Sequence, residues 1–194
     1  FVAFLVMALT AYLPLVSQKP GLVILCEHDP PLQYELPDGR LSGFSVDIVR
    51  EIQKRTGNLD PIQMVPWARG YATIFARDNV VLFSMTRTKE REDRFRWIGP
   101  IFDVTYGFYA KADSSVVIAS LEDAKKSRSI GVYRDDVRDT FLTREGFVNL
   151  DRVDNSRLNV KKLMLGRIAL YVDGTDTVAA NVREAGYSLA DVKL

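Results

Sequence analysis

The sequence predicts an α/β protein made of two lobes. Short apolar segments of strand length alternate with helical segments along the chain, and this alternation is typical of parallel sheets joined by crossover helices. The small, polar segment 111–115 separates two such runs and is the best candidate for a linker between them. We therefore predict lobe 1 at 19–110, a hinge linker at 111–115 and lobe 2 at 116–190, with a cleft between the lobes.

Apolar runs place the strands of lobe 1, and helix-start and helix-stop residues place its helices. Strands are predicted at 22–26, 62–65, 80–83 and 105–110. A helix begins after Gly43, because apolar side chains recur on one face, and Gly57 ends it. The next helix begins at Pro66, whose missing N–H needs no partner there. Thr88 is placed to cap a short charged helix.

The same signals recur in lobe 2. Strands are predicted at 129–133, 147–150 and 168–172. Helices are predicted after the capping residues Ser120 and Ser156, at 136–144 and at 175–185, with glycines following the last two. The order of these elements repeats the strand–helix alternation of lobe 1.

Composition excludes several classes of function. The chain has 194 residues, of which 26 are basic and 25 acidic, for a net charge of +1, so no strong field favours nucleic acid as a partner. It has one cysteine and one histidine, which excludes an internal disulfide framework and a metal site of several cysteines. We expect no metal and no cofactor, and we expect Cys26 to be a small buried hydrophobe.

The segment 1–18 has the pattern of part of a secretory signal. It is almost wholly apolar as far as Val16, which is short for a membrane span of about 20 residues but suits the apolar region of a signal. We predict cleavage near 17–19 and export to the periplasm. An uncleaved signal anchor is the alternative.

The stretch 83–100 concentrates groups that can bind an anion. A predicted strand ends at the hydroxyls Ser84, Thr86 and Thr88, and Arg91 follows within a charged segment. Free backbone N–H groups, hydroxyl donors and a planar guanidinium can together grip a carboxylate. The alternative is that Arg91 and the neighbouring arginines form only a solvated basic face.

The order of these residues resembles a known family. A hydroxyl at Thr86, a second at Thr88, Arg91, an aromatic residue and then Gly99-Pro100 are similar to the core motif of family 3 periplasmic solute-binding proteins, the polar amino-acid receptors of ABC importers. The segments 30–52, 129–136 and 165–173 resemble the family as well. The resemblance implies the type II periplasmic-binding-protein fold, with Thr86 and Arg91 holding the α-carboxylate of a ligand.

Lobe 1 contributes further candidate ligand contacts. In the family an aromatic side chain lies over the ligand just before the first helix, but here His28, Asp29 and Pro30 fill that place. Trp67 and Arg69 follow the end of a predicted strand, where ligands bind in open α/β sheets, so each is either a cleft residue or an ordinary helix residue.

In lobe 2 the resemblance points to acidic side chains. Asp135 and Asp136 stand where the family has Gly and then Thr or Ser. The family also has an acid that binds the ligand's amino group. Asp173 falls about one residue short of that position and Asp176 lies two beyond it. We choose Asp173, with a plain strand-end acid as the alternative.

The resemblance implies a monomer that captures a small, amino-acid-like ligand and presents it to a membrane permease. A sensory module on the same fold, acting on a signalling partner, is the alternative. A dehydratase-like enzyme would need a general acid, for which Glu27, His28 or Asp29 could serve, but no paired catalytic constellation supports an enzyme. Residues 191–194 fall where the family's return strand to lobe 1 would start, so we expect a truncated or curtailed chain with an incomplete first lobe.

Overall fold

A computed structural model describes residues 21–194 of the chain. The predicted signal at 1–18 lies outside the described residues. None of the helices within residues 21–194 is long and apolar enough to cross a membrane. The described elements form an α/β structure in two layered units, which we call lobe 1 and lobe 2.

Lobe 1 is built on a parallel sheet with the strand order β4-β1-β5. Helix α1 follows a Gly43 with a φ of 118° and ends at Gly57, which adopts the left-handed conformation as expected for a helix C-terminus. The core between the sheet and α1 consists of Ile24, Cys26, Val46, Val49 and Phe83. The elements are β1 Val23–Cys26, β2 Tyr34–Glu35, β3 Leu41–Ser42, α1 Phe44–Thr56, β4 Ile62–Met64, α2 Trp67–Ala76 and β5 Val80–Leu82.

Lobe 2 is built on a mixed sheet of five strands. Its order is β10-β6-β9-β7-β8, in which β7 runs parallel to β8 and β9, whereas β6 runs antiparallel to β9 and β10. Apolar clusters cover both faces of this sheet. The elements are β6 Tyr106–Lys111, α3 Leu121–Lys125, β7 Ile130–Tyr133, α4 Val137–Arg144, β8 Leu150–Val153, α5 Ser156–Met164, β9 Leu170–Gly174, α6 Val178–Glu184 and β10 Val192–Lys193.

The chain crosses between the lobes before strand β6 and not in the predicted linker at 111–115. Strand β6 pairs with strands of the lobe 2 sheet, so the chain passes between the sheets in the segment from Phe83 to Thr105, which contains a short 3-10 helix at Glu92–Arg94. The segment 111–115 instead turns at the far end of β6, where the backbone N–H of Ser114 bonds to the carbonyl of Lys111. A small, polar composition marks a tight turn as readily as a linker, which is why composition alone misplaced the crossing.

Three local predictions were wrong. The strand predicted at 147–150 is instead β8 at Leu150–Val153. Phe147 is a buried residue of the loop before this strand, and its apolar side chain was interpreted as the start of the strand. Asn155, rather than Ser156, caps α5 by accepting a hydrogen bond from the N–H of Leu158. Thr88 caps no helix, since the 3-10 helix that follows begins after Arg91. The cap at Ser120 is confirmed.

Candidate functional site

A cavity lies between the lobes at the carboxyl ends of β1, β5 and β9 and at the N-terminus of α4, the part of an open α/β sheet where ligands bind. Both lobes contribute polar side chains to its walls. Those from lobe 1 include Glu27, Asp29, Ser84, Thr86 and Arg91, with Trp67 beside them, and those from lobe 2 include Tyr106, Asp136, Arg138, Asp176 and Thr177.

Arg91 is a buried guanidinium in the lobe 1 wall. Its side chain is 6% exposed, and its Cζ atom lies 5.2 Å from the ring centroid of Trp67 and 5.1 Å from that of Tyr71. Its Nη1 atom donates to the backbone carbonyl of Thr86 at 3.1 Å. Within residues 21–194 no carboxylate forms an ion pair with Arg91. A buried charge needs a partner, so this guanidinium is suited to receive an anion that enters the cavity.

Ser84 and Thr86 lie beside Arg91 and line the same cavity. Ser84 has a φ of 60°, and its hydroxyl donates to Oε1 of Gln33 at 2.8 Å. The hydroxyl of Thr86 lies 3.0 Å from that of Tyr106, which places a hydrogen bond between the lobes. The structure therefore brings the predicted hydroxyls and the predicted arginine to one wall.

Of the two candidate ligand contacts on α2, Trp67 lies in the cavity wall and Arg69 does not. Trp67 is 3% exposed, lines the cavity and stacks on Tyr71 with ring centroids 5.2 Å apart. Arg69 is exposed and does not line the cavity. Two residues along a helix rotate a side chain by about 200°, so Arg69 points to the opposite side from Trp67.

Arg138 is a cavity residue that sequence reasoning missed. Its Nη1 atom donates to Oδ1 of Asp173 at 3.0 Å, and its Nε atom pairs with Asp136. The guanidinium lies over the rings of Tyr106 and Tyr133, at 5.6 and 5.7 Å from their centroids. Burial alone would lower the pKa of Arg138, but the two aspartates outweigh burial and raise its pKa above the ordinary value. In the sequence, the one signal that pointed to Arg138 was its position two residues after Asp136, the residue that caps α4.

Asp136 holds the start of α4 as well as Arg138. Its Oδ1 atom accepts hydrogen bonds from the backbone N–H groups of Arg138 at 2.8 Å and Asp139 at 3.1 Å, which is the geometry of an N-cap. Burial raises the pKa of Asp136, although Arg138 opposes the shift. Asp136 lines the cavity, but both of its oxygens already have partners.

Asp173 and Asp135 are not cavity-lining side chains. Asp173 is fully buried and accepts hydrogen bonds from the N–H of Gly174, the hydroxyl of Thr177 and the amide of Asn181 at 2.9, 3.0 and 2.8 Å, besides pairing with Arg138. The carboxylate of Asp135 is exposed. Asp176, three residues further along the chain, does line the cavity.

Glu27 and Asp29 place two carboxyl groups at the end of β1, both in the cavity wall. Burial, reinforced by Asp29, raises the pKa of Glu27 to about 8. Burial also raises the pKa of Asp29 to about 7, with Arg138 opposing the shift. The Oε2 atom of Glu27 is shielded from solvent and has no hydrogen-bond partner within residues 21–194. Neither carboxyl forms an ion pair with a basic side chain within residues 21–194, so the negative charge of these two acids is poorly compensated.

Direct contacts join the lobes around the cavity. The Nε2 atom of His28 lies 3.0 Å from Oε2 of Glu184, and the indole N–H of Trp67 donates to the carbonyl of Asp135 at 2.9 Å. Arg144 pairs with Glu90. Among residues 21–194, no group of three or more acidic, histidine or cysteine side chains is placed to hold a metal ion.

Comparison with solved structures shows the same fold. An ancestral arginine-binding protein bound to arginine has a TM-score of 0.75 and 22% identity over 90% of this chain and 78% of its own. A histidine kinase sensor domain with similarity to periplasmic binding proteins has a TM-score of 0.79 and 19% identity over 89% of this chain and 76% of its own.

A further solved structure, the arginine-, lysine-, histidine-binding protein ArtJ from Geobacillus stearothermophilus, has a TM-score of 0.74 and 17% identity over 89% of this chain and 74% of its own. No curated protein matches the sequence. The sequence profile of the bacterial extracellular solute-binding proteins, family 3, matches residues 22–187. This match spans both lobes and most of the chain, which therefore belongs to the family 3 bacterial extracellular solute-binding proteins.

Proposed function

We propose that this protein captures a small, polar, amino-acid-like solute between its lobes outside the cytoplasm and delivers it to the permease of an ABC importer. The observation that carries the proposal is the charge arrangement of the cavity. A buried Arg91, which has no carboxylate partner among residues 21–194, and the poorly compensated carboxyls of Glu27 and Asp29 line one wall of the same space. A solute with one carboxylate and one cationic group complements both.

In this scheme the carboxylate binds Arg91, with the hydroxyl of Thr86 as a second donor. The solute also contacts Arg138, Asp176 and Tyr106 of lobe 2. A ligand that touches both walls favours the closed arrangement by the difference in its affinity for the closed and open states. Closure by hinge motion in the crossing segment then presents one surface, made from both lobes, to a membrane partner.

A sensory role is the second candidate. The similarity to a histidine kinase sensor domain supports it, because the same closure can act on a signalling partner instead of a permease. The ligand cavity and the role of Arg91 are the same in both cases. Genetic loss distinguishes the two roles: an importer component is required for uptake of the solute, whereas a sensor component is required for the transcriptional response to it.

The binding function is tested by a thermal-shift screen of amino acids, polyamines and small organic acids, because a solute that binds the folded state raises its melting temperature. The best solute is then titrated against Arg91→Ala and against the exposed control Arg69→Ala. We expect Arg91→Ala to weaken binding at least tenfold and Arg69→Ala to change it less than twofold. Equal affinity of Arg91→Ala and the unmodified protein contradicts the carboxylate contact, and steady conversion of a solute to product indicates an enzyme.

A further inference from the structure

The carboxyl groups of Glu27 and Asp29 form an acidic pair whose charge the structure leaves poorly compensated. They are two residues apart at the end of β1 and both line the cavity. Neither forms an ion pair with a basic side chain within residues 21–194. Burial raises the pKa of both carboxyls, Asp29 adds to the shift of Glu27, and Asp173, Asp176 and Asp136 add to that of Asp29. The shielded Oε2 atom of Glu27 has no partner in the described part of the chain.

The other elements packed around the pair add more negative than positive charge. Two cations lie near the pair. Arg138 on α4 acts on both carboxyls but is already paired with Asp136 and Asp173, and Arg91 lines the same cavity without forming an ion pair within residues 21–194. The titratable and charged groups that face the pair are Cys26 on β1, Arg91 in the crossing segment, Tyr106 on β6, Tyr133 on β7, Asp136 and Arg138 at α4, Asp173 on β9 and Asp176 in the following turn.

Two neighbouring carboxyls in a desolvated site do not both ionise readily, because their like charges repel at close range. A proton on one of them removes this repulsion. Arg91 supplies the independent evidence for a ligand here, since its guanidinium is buried in the same wall and has no carboxylate partner among residues 21–194. An anionic group that binds Arg91 brings the remainder of the solute into the acidic cavity.

We propose that Glu27 and Asp29 share one proton when the cleft holds no solute and release it to solvent when they receive the cationic group of a bound solute. This inference rests on the function proposed above and names the ligand class, which is a small carboxylate bearing an amine or guanidinium. The site of cation binding is then lobe 1, and Asp173 in lobe 2 is fully occupied by protein donors.

Proton release makes capture depend on pH in a defined direction. Below neutral pH the proton competes with the cationic group for the pair, so affinity falls as the solution becomes more acidic. Linkage for one displaced proton gives a change in affinity of about tenfold per pH unit in the range where the pair is protonated. The solute is therefore held tightly at neutral to alkaline pH and released more readily in acid.

The test is isothermal titration of the full chain with two probes between about pH 6 and pH 8. The first probe is L-arginine, which bears a carboxylate and cationic groups, and the second is glutarate, which bears no cation. Each titration is run in phosphate and in Tris buffer, whose different enthalpies of ionisation report the number of protons released. We expect L-arginine to release about one proton and to bind about tenfold more weakly per unit fall in pH.

Two conservative variants assign the proton. Glu27→Gln and Asp29→Asn keep the side-chain volumes and remove one titrating group each, and Glu51→Gln is the control on the exposed face of α1. We expect each cleft variant to release fewer protons than the unmodified protein, because one of the two titrating groups is gone, and Glu51→Gln to release the same number. Binding of L-arginine with no proton release, or binding of glutarate alone, overturns this inference but leaves a solute-binding protein. Binding of neither probe overturns this inference, and failure of every solute in the thermal-shift screen overturns the proposed function itself.

Discussion

The indole N–H of Trp67 in lobe 1 donates a hydrogen bond to the backbone carbonyl of Asp135 in lobe 2, with 2.9 Å between the two heavy atoms. The same tryptophan ring lies under the guanidinium of Arg91, 5.2 Å from its Cζ atom. Trp67 therefore touches both the proposed carboxylate-binding group and the opposite lobe. In the proposed binding scheme, this double contact couples occupation of the cavity to the contact between the lobes.

Trp67→Phe is expected to weaken solute binding by removing the bond between the lobes while keeping an aromatic ring beneath Arg91. The loss of one hydrogen bond, about 0.5–1.5 kcal/mol, corresponds to roughly a two- to tenfold weaker affinity. Trp97→Phe is the matched control, because the indole of Trp97 donates to the carbonyl of Glu92 at 3.1 Å within the crossing segment. Small-angle scattering should show a more open Trp67→Phe variant, and equal affinities of the two variants contradict the coupling.

Arg138→Gln is expected to destabilise the folded protein strongly. It removes the only basic partner of Asp136 and Asp173 within residues 21–194, and breaking a buried ion pair costs about 3–5 kcal/mol because a buried charge is left behind. Arg134→Gln is the control, since its pair with Asp154 is exposed and contributes at most about 1 kcal/mol. Urea unfolding measures both changes. Similar unfolding free energies for the two variants would show that Arg138 does not hold lobe 2 together.

Asp173→Asn and Asp176→Asn distinguish a structural acid from a ligand-binding acid. Asp173 accepts four hydrogen bonds in the interior of lobe 2, so Asp173→Asn is expected to lower the free energy of unfolding by about 1.5–3 kcal/mol. Asp176 is exposed and lines the cavity, so Asp176→Asn is expected to leave stability nearly unchanged. Thermal unfolding of both variants checks this. An unchanged melting temperature for Asp173→Asn contradicts the structural role.

The raised pKa of Glu27 predicts how stability changes with pH when no solute is bound. Burial raises this pKa from 4.5 to about 8, so the folded state binds more protons than the unfolded state between those values. Stability therefore falls as pH rises from about 5 to 8. Glu27→Gln is expected to reduce this slope and to melt at a higher temperature than the unmodified protein at pH 8. If the melting temperatures of the two proteins change with pH in the same way across that range, the pKa of Glu27 is not raised in the folded protein.

Local sequence signals predicted most of the elements because their causes are local. Gly57 ends α1 because glycine adopts the left-handed conformation without steric cost, and Ser120 caps α3 through its own hydroxyl. Phe147 misled the prediction of β8 because hydropathy reports that a side chain is buried and not whether its backbone is in a strand. The linker at 111–115 was misplaced because strand pairing, not composition, assigns β6 to lobe 2.

By itself, the sequence determined the α/β class, the resemblance to family 3 solute-binding proteins and the clustering of Ser84, Thr86 and Arg91, because those residues are close along the chain. Tertiary structure alone decided that Arg138 occupies Asp173, that Asp176 faces the cavity in its place, and that Glu27 and Asp29 lie across from them. The physical reason is that a carboxylate's role depends on which donors reach it through space, and those donors come from strands and helices far apart in sequence.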